Sequence, residues 1–510
     1  MIILLHSNAR KFIKATMDDK VLLLKSDSLT GAFWELAEHF PQELLIWKDQ
    51  DIHTELANNF EKCFEHELIM TSYAVKSQYI PDQIGYIDQL PFLNPRYDVK
   101  YPTWRMSTDI GGIFGKTVLQ FKEVFREIID FGYLLNSIGK TGQQNSLFCY
   151  SNPGLAEKRQ IKKLKFKGGD RELFSFVGQY YKKEWLWVLF FCMWKYEKRL
   201  PVVSMLRGFK RKSYLKKRVH LPIEDIQRKN NFDFSNSIDV IIPTLFRAGH
   251  VQNLLNDLSE QSHLPKKVII VEQDPDPNSK SQLDFLNRQW PFPIVHHFVH
   301  KTGACHARNL AMQSVRSEYI FFADDDIELE RDLLERSLRE IKRLDVGCLN
   351  LNCLQPGQKT VFHKIKQWGA FGSGTSIVKS EYALQCRFSE FLEKGFGEDI
   401  DFGLQLRAKG CDIIYHPELS FIHLKAARGG FREVMQKQDQ EKEKPKPSPT
   451  MMYLVKSSYN SIMQKGYKAS LFLKYYRNQK IKNPIRYFGV MQRRWKLSEK
   501  LYEELQKSRA

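Results

Sequence analysis

Between residues 238 and 323 short, wholly apolar runs alternate with stretches whose apolar residues recur every three or four positions. That alternation predicts buried strands separated by helices. Residues 240–242 read as a strand stopped by Pro243, which has no N–H to give to a sheet. Val251, Leu254, Leu255 and Leu258 mark one face of a helix over 249–262. A second strand, 268–271, ends in the polar tract Glu272, Gln273, Asp274. A helix over 280–289, a strand over 294–299 and a helix over 304–314 follow. Strand 319–323 then delivers Asp324, Asp325 and Asp326 at its carboxyl end. Strands alternating with helices imply a parallel sheet, and such sheets bind ligands beyond their strand carboxyl ends.

The flanking sequence divides by composition. Residues 1–154 read as a mixed α/β domain, with strands at the N-terminus and at 21–24, 43–47 and 68–73, and helices at 31–39 and 53–66. No internal repeat is evident. Gly111 to Thr117 approaches a phosphate-binding loop, but Ile110 stands where the first glycine belongs, so a glycine turn before a helix over 118–125 is expected. The cluster 102–109 could line an acceptor pocket. Residues 155–236 form a basic, aromatic-rich connector. Its apolar run 185–194 is either a buried helix or a segment lying at a lipid interface, since its length is about half a bilayer span. Polar residues 230–237 read as a linker. A third domain spans 237–435. The tail, 436–510, opens with a charged, proline-rich loop and continues as basic helices.

Composition narrows the partners. The 510-residue chain is 42% hydrophobic and 13% aromatic, which suits packed domains. Its formal charge of +19 predicts an anionic partner: a nucleoside diphosphate, a lipid phosphate, an anionic membrane surface or nucleic acid. No recognised nucleic-acid-binding pattern accompanies the basic runs, which ranks that partner last. The eight cysteines show neither CxxC pairs nor metal-ligand spacing, which fits a reduced interior. No run is long enough to span a bilayer. A cytoplasmic protein, peripheral on the inner face of the plasma membrane, is the expectation.

Three adjacent carboxylates repel unless a cation joins them. Asp324 and Asp326 can both reach one hard divalent ion, Mn²⁺ or Mg²⁺, whose shell phosphate oxygens and water would complete. Further on stand Gly397, Glu398, Asp399 and Asp401, then His423 before Gly429 and Gly430. Together with 240–247 and Gly303 to Asn309, these pieces resemble, in order and spacing, a bacterial family 2 glycosyltransferase of GT-A fold. The resemblance covers less than half of the chain.

The resemblance implies roles. Pro243, Thr244 and Arg247, with Glu272, Asp274, Arg308, Asp324 and Asp325, would bind a nucleotide-sugar, with the helix start at Arg308 helping to hold phosphate. Asp324, Asp326 and His423 would hold the metal. Asp399, flanked by Glu398, would take the acceptor's proton, and Gly397 and Asp401 would meet the acceptor. The implied reaction is metal-dependent, inverting transfer from a UDP-sugar to a glycan or lipid-linked acceptor in cell-surface polysaccharide synthesis. Glu272-Gln273-Asp274 departs from the paired aspartates usual in the family, and Gln492 to Trp495 falls short of the motif of processive members. The rival reading is a non-catalytic protein that keeps the GT-A fold and binds a nucleotide-sugar or another anionic ligand.

Overall fold

An eight-stranded and a nine-stranded sheet, each in its own unit of the chain, organise the structure. The computed structural model describes residues 1–157, 164–226, 237–393, 395–425 and 444–507. One unit comprises Met1–Ile226 and Tyr459–Lys480; the other comprises the described residues of 237–458 and 481–507. The expected linker at 230–236 and the Gly429-Gly430 pair lie outside the described residues.

In the first unit the strands are β1 (Ile2–Ser7), β2 (Lys11–Met17), β3 (Lys20–Leu22), β4 (Leu44–Asp49), β5 (Ile69–Tyr73), β6 (Ser77–Gln78), β7 (Tyr101–Pro102), β8 (Ile110–Phe114), β9 (Phe148–Ser151) and β10 (Lys165–Phe166). The main sheet runs β3-β2-β1-β4-β8-β5-β9-β7, with β6 and β10 paired apart. Helices α1 (Leu29–His39), α2 (Gly115–Leu119), α3 (Lys122–Phe125) and α4 (Phe131–Gly142) accompany the sheet. The expected glycine turn is instead the central strand β8. A Cβ at Gly111 would overlap the Trp47 ring and one at Gly112 would press on Ile46, so the glycines admit bulky neighbours. The expected helix over 53–66 is only a 3-10 turn at Phe60–Cys63, because Leu56 is drawn into an isolated bridge with Ala156. Strand β2, in which only Ala15 is buried, gave no apolar run.

Residues 165–226 pack in the same unit as α5 (Asp170–Tyr180), α6 (Glu184–Glu197) and α7 (Val202–Lys210). On α6 Leu186, Val188, Leu189, Cys192 and Met193 are buried, while Trp187, Phe191 and Trp194 are exposed. The apolar run is thus buried on one side only. Among the described residues no helix is long and apolar enough to cross a membrane.

The second unit follows the predicted alternation: β11 (Ile238–Leu245), α8 (Ala248–Ser259), β12 (Lys267–Gln273), β13 (Ile294–Val299), α9 (Ala304–Met312), β14 (Tyr319–Ala323), β15 (Ile327–Glu328), α10 (Leu333–Leu344), β16 (Cys348–Leu354), β17 (Lys366–Gln367), β18 (Thr375–Lys379), α11 (Ser380–Ala383), α12 (Glu398–Ala408) and β19 (Ile413–His423). The order is β13-β12-β11-β14-β18-β16-β19-β15, with β17 on β19. Pro243 does not stop β11, which pairs with β12 as far as Leu245. Pairing with β14 ends at Ile241, leaving an open edge on that side where a missing N–H is tolerated. The expected helix at 280–289 is a short 3-10 turn, Asp284–Asn287. The Glu272 carboxylate accepts from Gln282 N (2.8 Å) and Ser281 Oγ, and so takes up groups a helix would need.

Beneath the aspartates Phe322, Phe371, Phe388 and Phe402 pack together in the core, with Phe388 and Phe402 stacked at 4.1 Å. Helices α13 (Pro449–Ser458), α14 (Ser461–Arg477) and α15 (Pro484–Lys507) give the expected helical tail, but α14 belongs to the first unit. There Gly466 lies so close to the Gly85 and Tyr86 carbonyls that a Cβ would overlap them. All eight cysteines are free thiols.

Candidate functional site

The carboxyl ends of β11 and β14 set the site. Pairing of Ile238–Ile241 with Tyr319–Phe322 places the residues that follow, Thr244 and the aspartate triplet, at one end of the sheet. Thr244 Oγ1 donates to Asp325 Oδ2 at 2.7 Å, and Arg247 NH1 donates to Asp325 Oδ1 at 2.9 Å and lies 3.2 Å from Asp326. Asp325 is 4% exposed, and burial raises its carboxyl above the usual range, with Arg247 and Thr244 acting against the rise. Arg247 titrates above its ordinary value: burial opposes its charge, but three carboxylates around it prevail. Asp325 is therefore the inward anchor of the triplet, while Asp324 is a third exposed.

Asp324 Oδ1 accepts from Arg308 at 3.1 Å. The Arg308 guanidinium lies 5.6 Å from the Phe388 ring centre, and Asn309 fixes that phenylalanine by bonding both its backbone N–H and its carbonyl. The expected free helix start at α9 is already filled. Glu393 accepts from the backbone N–H groups of Cys305 (3.2 Å) and His306 (3.0 Å), satisfying donors that a phosphate would otherwise meet. Nothing near Arg308 in sequence announces that carboxylate.

Glu398 and Asp399 open α12, where Gly397 takes a φ of +116° that a side chain would strain. Carboxylates suit this end of a helix. Asp399 Oδ1 accepts from the backbone N–H of Ser373 at 3.0 Å. Burial raises its carboxyl above the usual range, against that bond and Arg308. Glu398 is raised by burial and then by Asp399. Asp401 stands apart: its carboxylate accepts from Gln405 (2.8 Å), which also bonds Arg387.

Thr244, Arg247, Glu272, Gln273, Asp274 and Leu283 line a cleft beside the triplet. Glu272 meets His296 at 3.0 Å as well as Ser281 and Gln282, and Asp274 holds the turn that follows through the Asp276 N–H (2.9 Å). Among the described residues, three buried polar atoms in and around the site have no hydrogen-bond partner: Gln273 Nε2, Arg308 Nε and Glu398 Oε2. Native proteins seldom leave such atoms unpaired away from ligands.

His423 Nε2 lies 3.1 Å from Asp326, whose hydrogen bond, followed by that of Cys353, pushes the imidazole up to about 10. The ring thus stands against Asp326, one of the two carboxylates expected to hold the ion. Among the described residues no three His, Cys, Asp or Glu side chains converge on one point. The donors present fit an ion that shares its shell with a ligand's oxygens, since two hard carboxylates one residue apart are what such a site needs from the protein. A Cβ at Gly374 would overlap the Asp324 carboxyl, so glycine makes room for that carboxyl. Ser373, Gly374 and Glu393 escaped the sequence reading because each acts through backbone geometry or from a distant loop.

Residues 239–387 match the model of glycosyl transferase family 2. Over 176 residues the chain is 24% identical to the succinoglycan biosynthesis protein ExoM of Rhizobium meliloti, a match covering 31% of this chain and 56% of that protein. The chain thus spans little more than half the length of this relative. Among solved structures, S. aureus TarS 1–349 in complex with UDP-GlcNAc is similar at 16% identity and TM-score 0.37, over 50% of this chain and 79% of that one. The mannosyltransferase PcManGT from Pyrobaculum calidifontis, in complex with GDP-Man and Mn²⁺, is similar at 15% identity and TM-score 0.30, over 56% and 88%. The stretch that bears the aspartate triplet is thus similar to glycosyl transferase family 2 and is carried on a mixed α/β sheet.

Proposed function

We propose that the chain transfers a sugar from a nucleotide-sugar, UDP-linked, to a hydroxyl of a glycan or lipid-linked acceptor with inversion at the anomeric carbon. The observation that carries this reading is the unpaired trio Gln273 Nε2, Arg308 Nε and Glu398 Oε2 around the aspartate triplet. A diphosphate beside Arg308 and a sugar beside Glu398 would satisfy them.

Each residue then has a task. Thr244, Arg247 and Asp325 form a rigid floor, while Glu272, Gln273, Asp274 and Leu283 wall a cleft suited to a nucleoside. Arg308 faces the negative charge of the donor. Asp399, desolvated and aligned by the Ser373 N–H, is the general base that removes the acceptor's proton as its oxygen attacks from the face opposite the leaving group. Glu398 flanks it. Asp324 and Asp326 would hold a divalent ion, Mn²⁺ or Mg²⁺, which stabilises the departing diphosphate as a Lewis acid. His423 enters as the partner that orients Asp326.

The name of the succinoglycan relative supports a place in cell-surface polysaccharide synthesis. Exposed Trp187, Phe191 and Trp194 on α6 support contact with an anionic lipid surface from the cytoplasmic side. Thermal unfolding with UDP, GDP, CDP and dTDP, each with and without Mn²⁺, tests the donor class. Stabilisation by UDP that requires Mn²⁺ and vanishes in Asp326→Ala is expected. No shift with any nucleotide would overturn the reading.

A further inference from the structure

The sheet of the first unit repeats the half of the second unit's sheet that carries the aspartates. In each, an opening strand lies parallel to one ending in acidic residues: β1 on β4, β11 on β14. An antiparallel strand comes next, β8 or β18. Beyond it lies a parallel pair, β5 with β9 or β16 with β19, whose outer member takes a two-residue antiparallel strand, β7 or β17. The registers coincide. Leu44 opposes Phe114 as Tyr319 opposes Lys379, and a helix starts at the next residue in both, Gly115 or Ser380. Tyr101 opposes Ser151 as Lys366 opposes Tyr415, and the interval from Tyr101 to Phe114 equals that from Lys366 to Lys379. An Ile-Asp-Phe-Gly stretch, 129–132 or 400–403, lies at the beginning of α4 and of α12. No repeat is evident in the sequence of residues 1–154 because this likeness lies between the two units and mainly in pairing register.

By this register Asp49 and Asp51 stand where Asp324 and Asp326 stand, and Asp109 where Gly374 stands. Ser7 donates to Asp51 at 2.6 Å from the end of β1, much as Thr244 donates to Asp325. The differences decide the chemistry. Gly374 makes room for the Asp324 carboxyl, whereas its counterpart Asp109 bears a carboxylate of its own. The Lys167 ammonium lies 2.9 Å from Asp49 and 3.6 Å from Asp109, so a side-chain cation already neutralises the pair. Ile128 occupies the position of Asp399. The antiparallel β2–β3 hairpin replaces β12 and β13, of which β12 walls the nucleoside cleft. The base and the nucleoside wall are missing from this copy, and of its two retained carboxylates Asp49 is already held by Lys167.

It nevertheless keeps a cavity of about 370 Å³ at the corresponding end of its sheet. The Phe166 ring, 41% exposed, forms part of the wall. The Tyr79 hydroxyl, on a residue 3% exposed, is buried in the lining beside the Asp130 carboxylate. Arg10, Lys76 and Lys165 are exposed around it, and among the described residues none has a carboxylate partner. Asp49, Asp51, Asp109 and Asp130 line the cavity as well. An aromatic face, carboxylates that can accept from sugar hydroxyls, and three rim cations without carboxylate partners among the described residues together suit a sugar ring that carries a negative group towards the rim. We infer that the first unit is a non-catalytic copy of the transferase fold that binds an anionic saccharide in the cavity between Phe166, Tyr79 and the lysines 76 and 165. The inference takes the second unit as a template of fold and holds whether or not that unit transfers sugar.

Calorimetry on the full chain tests it with three probes: a glucuronate-bearing hyaluronan tetrasaccharide, glucose 1-phosphate and neutral maltotetraose. Saturable binding of at least one anionic probe is expected, with the neutral one weaker; the two anionic probes separate a glycan carboxylate from a sugar phosphate as the source of charge. The double reversal Lys76→Glu/Lys165→Glu lowers that affinity at least about tenfold and leaves Mn²⁺-dependent UDP stabilisation unchanged. Asp326→Ala does the opposite. The inference is overturned by absence of binding for both anionic probes, by binding that ignores the charge reversal, or by binding lost in Asp326→Ala. Loss of UDP binding on charge reversal also overturns it, since the cavity would then be a nucleotide site. If UDP fails everywhere while saccharide binds as expected, only the transferase reading falls.

Discussion

Gly374 faces the carboxyl group of Asp324 so closely that a Cβ on the glycine would overlap it. Gly374→Ala therefore pushes on the most exposed member of the aspartate triplet while leaving its chemistry intact. The expected outcome is loss of Mn²⁺-dependent UDP stabilisation in thermal unfolding, with the unliganded stability changed only by an amount ordinary for a point mutation, about 1 kcal/mol. Unchanged metal-dependent binding in this variant would show that Asp324 takes no part.

Asp399→Asn separates catalysis from binding. Removing the base is expected to lower turnover by about 10²- to 10⁴-fold, with UDP stabilisation retained. Stability should move the other way. Because burial raises the folded-state pKa, the carboxyl contributes stability below its unfolded value, and this is lost as pH rises through the folded value. At neutral pH the amide variant therefore melts higher than the native chain. Full turnover of the variant would sink the assignment.

Arg308→Lys keeps the charge but not the planar fork that meets Asp324 while lying over Phe388. UDP affinity measured by calorimetry should fall about tenfold, the loss of one charge-assisted hydrogen bond. Equal affinity in the lysine variant would mean that charge alone matters there.

His6 gives the first unit an acid sensitivity. It is fully buried, its Nε2 lies 2.9 Å from the Thr108 carbonyl and its Nδ1 accepts from the Ala9 N–H, which fixes a neutral ring. Burial above all pushes its pKa down to about 4. The unfolded chain then binds the proton first, so stability is full above about 6.5 and declines as pH falls towards 4, by as much as about 3 kcal/mol. Hydrogen exchange of β1 and β4 between pH 7 and pH 4.5 should register that decline, and a His6→Gln variant that kept the full slope would assign it elsewhere.

The second unit was legible where burial on both faces writes an uninterrupted apolar run: β14 falls where the sequence puts it, and the triplet sits at the strand end as expected. Local propensity misled wherever one long-range bond outweighed it, as at 280–289, where Glu272 captures the backbone. The acids of α12 were legible as a group but not their division, since only the fold turns Asp399 towards Ser373 and Asp401 towards Gln405. Glu393 was invisible because its partners on α9 lie far away in sequence. The copied sheet was hidden for a related reason: backbone pairing conserves positions without conserving side chains.

Helix α14 carries a consequence for how the protein is made. The chain completes most of the first unit by Ile226, builds most of the second, then supplies α14 to the first before returning with α15. The Gly85–Tyr86 backbone that Gly466 covers must therefore stay bare while more than two hundred further residues leave the ribosome. During synthesis the N-terminal unit waits, unfinished, for its last piece, and a nascent chain cut anywhere before residue 461 releases it with that groove open.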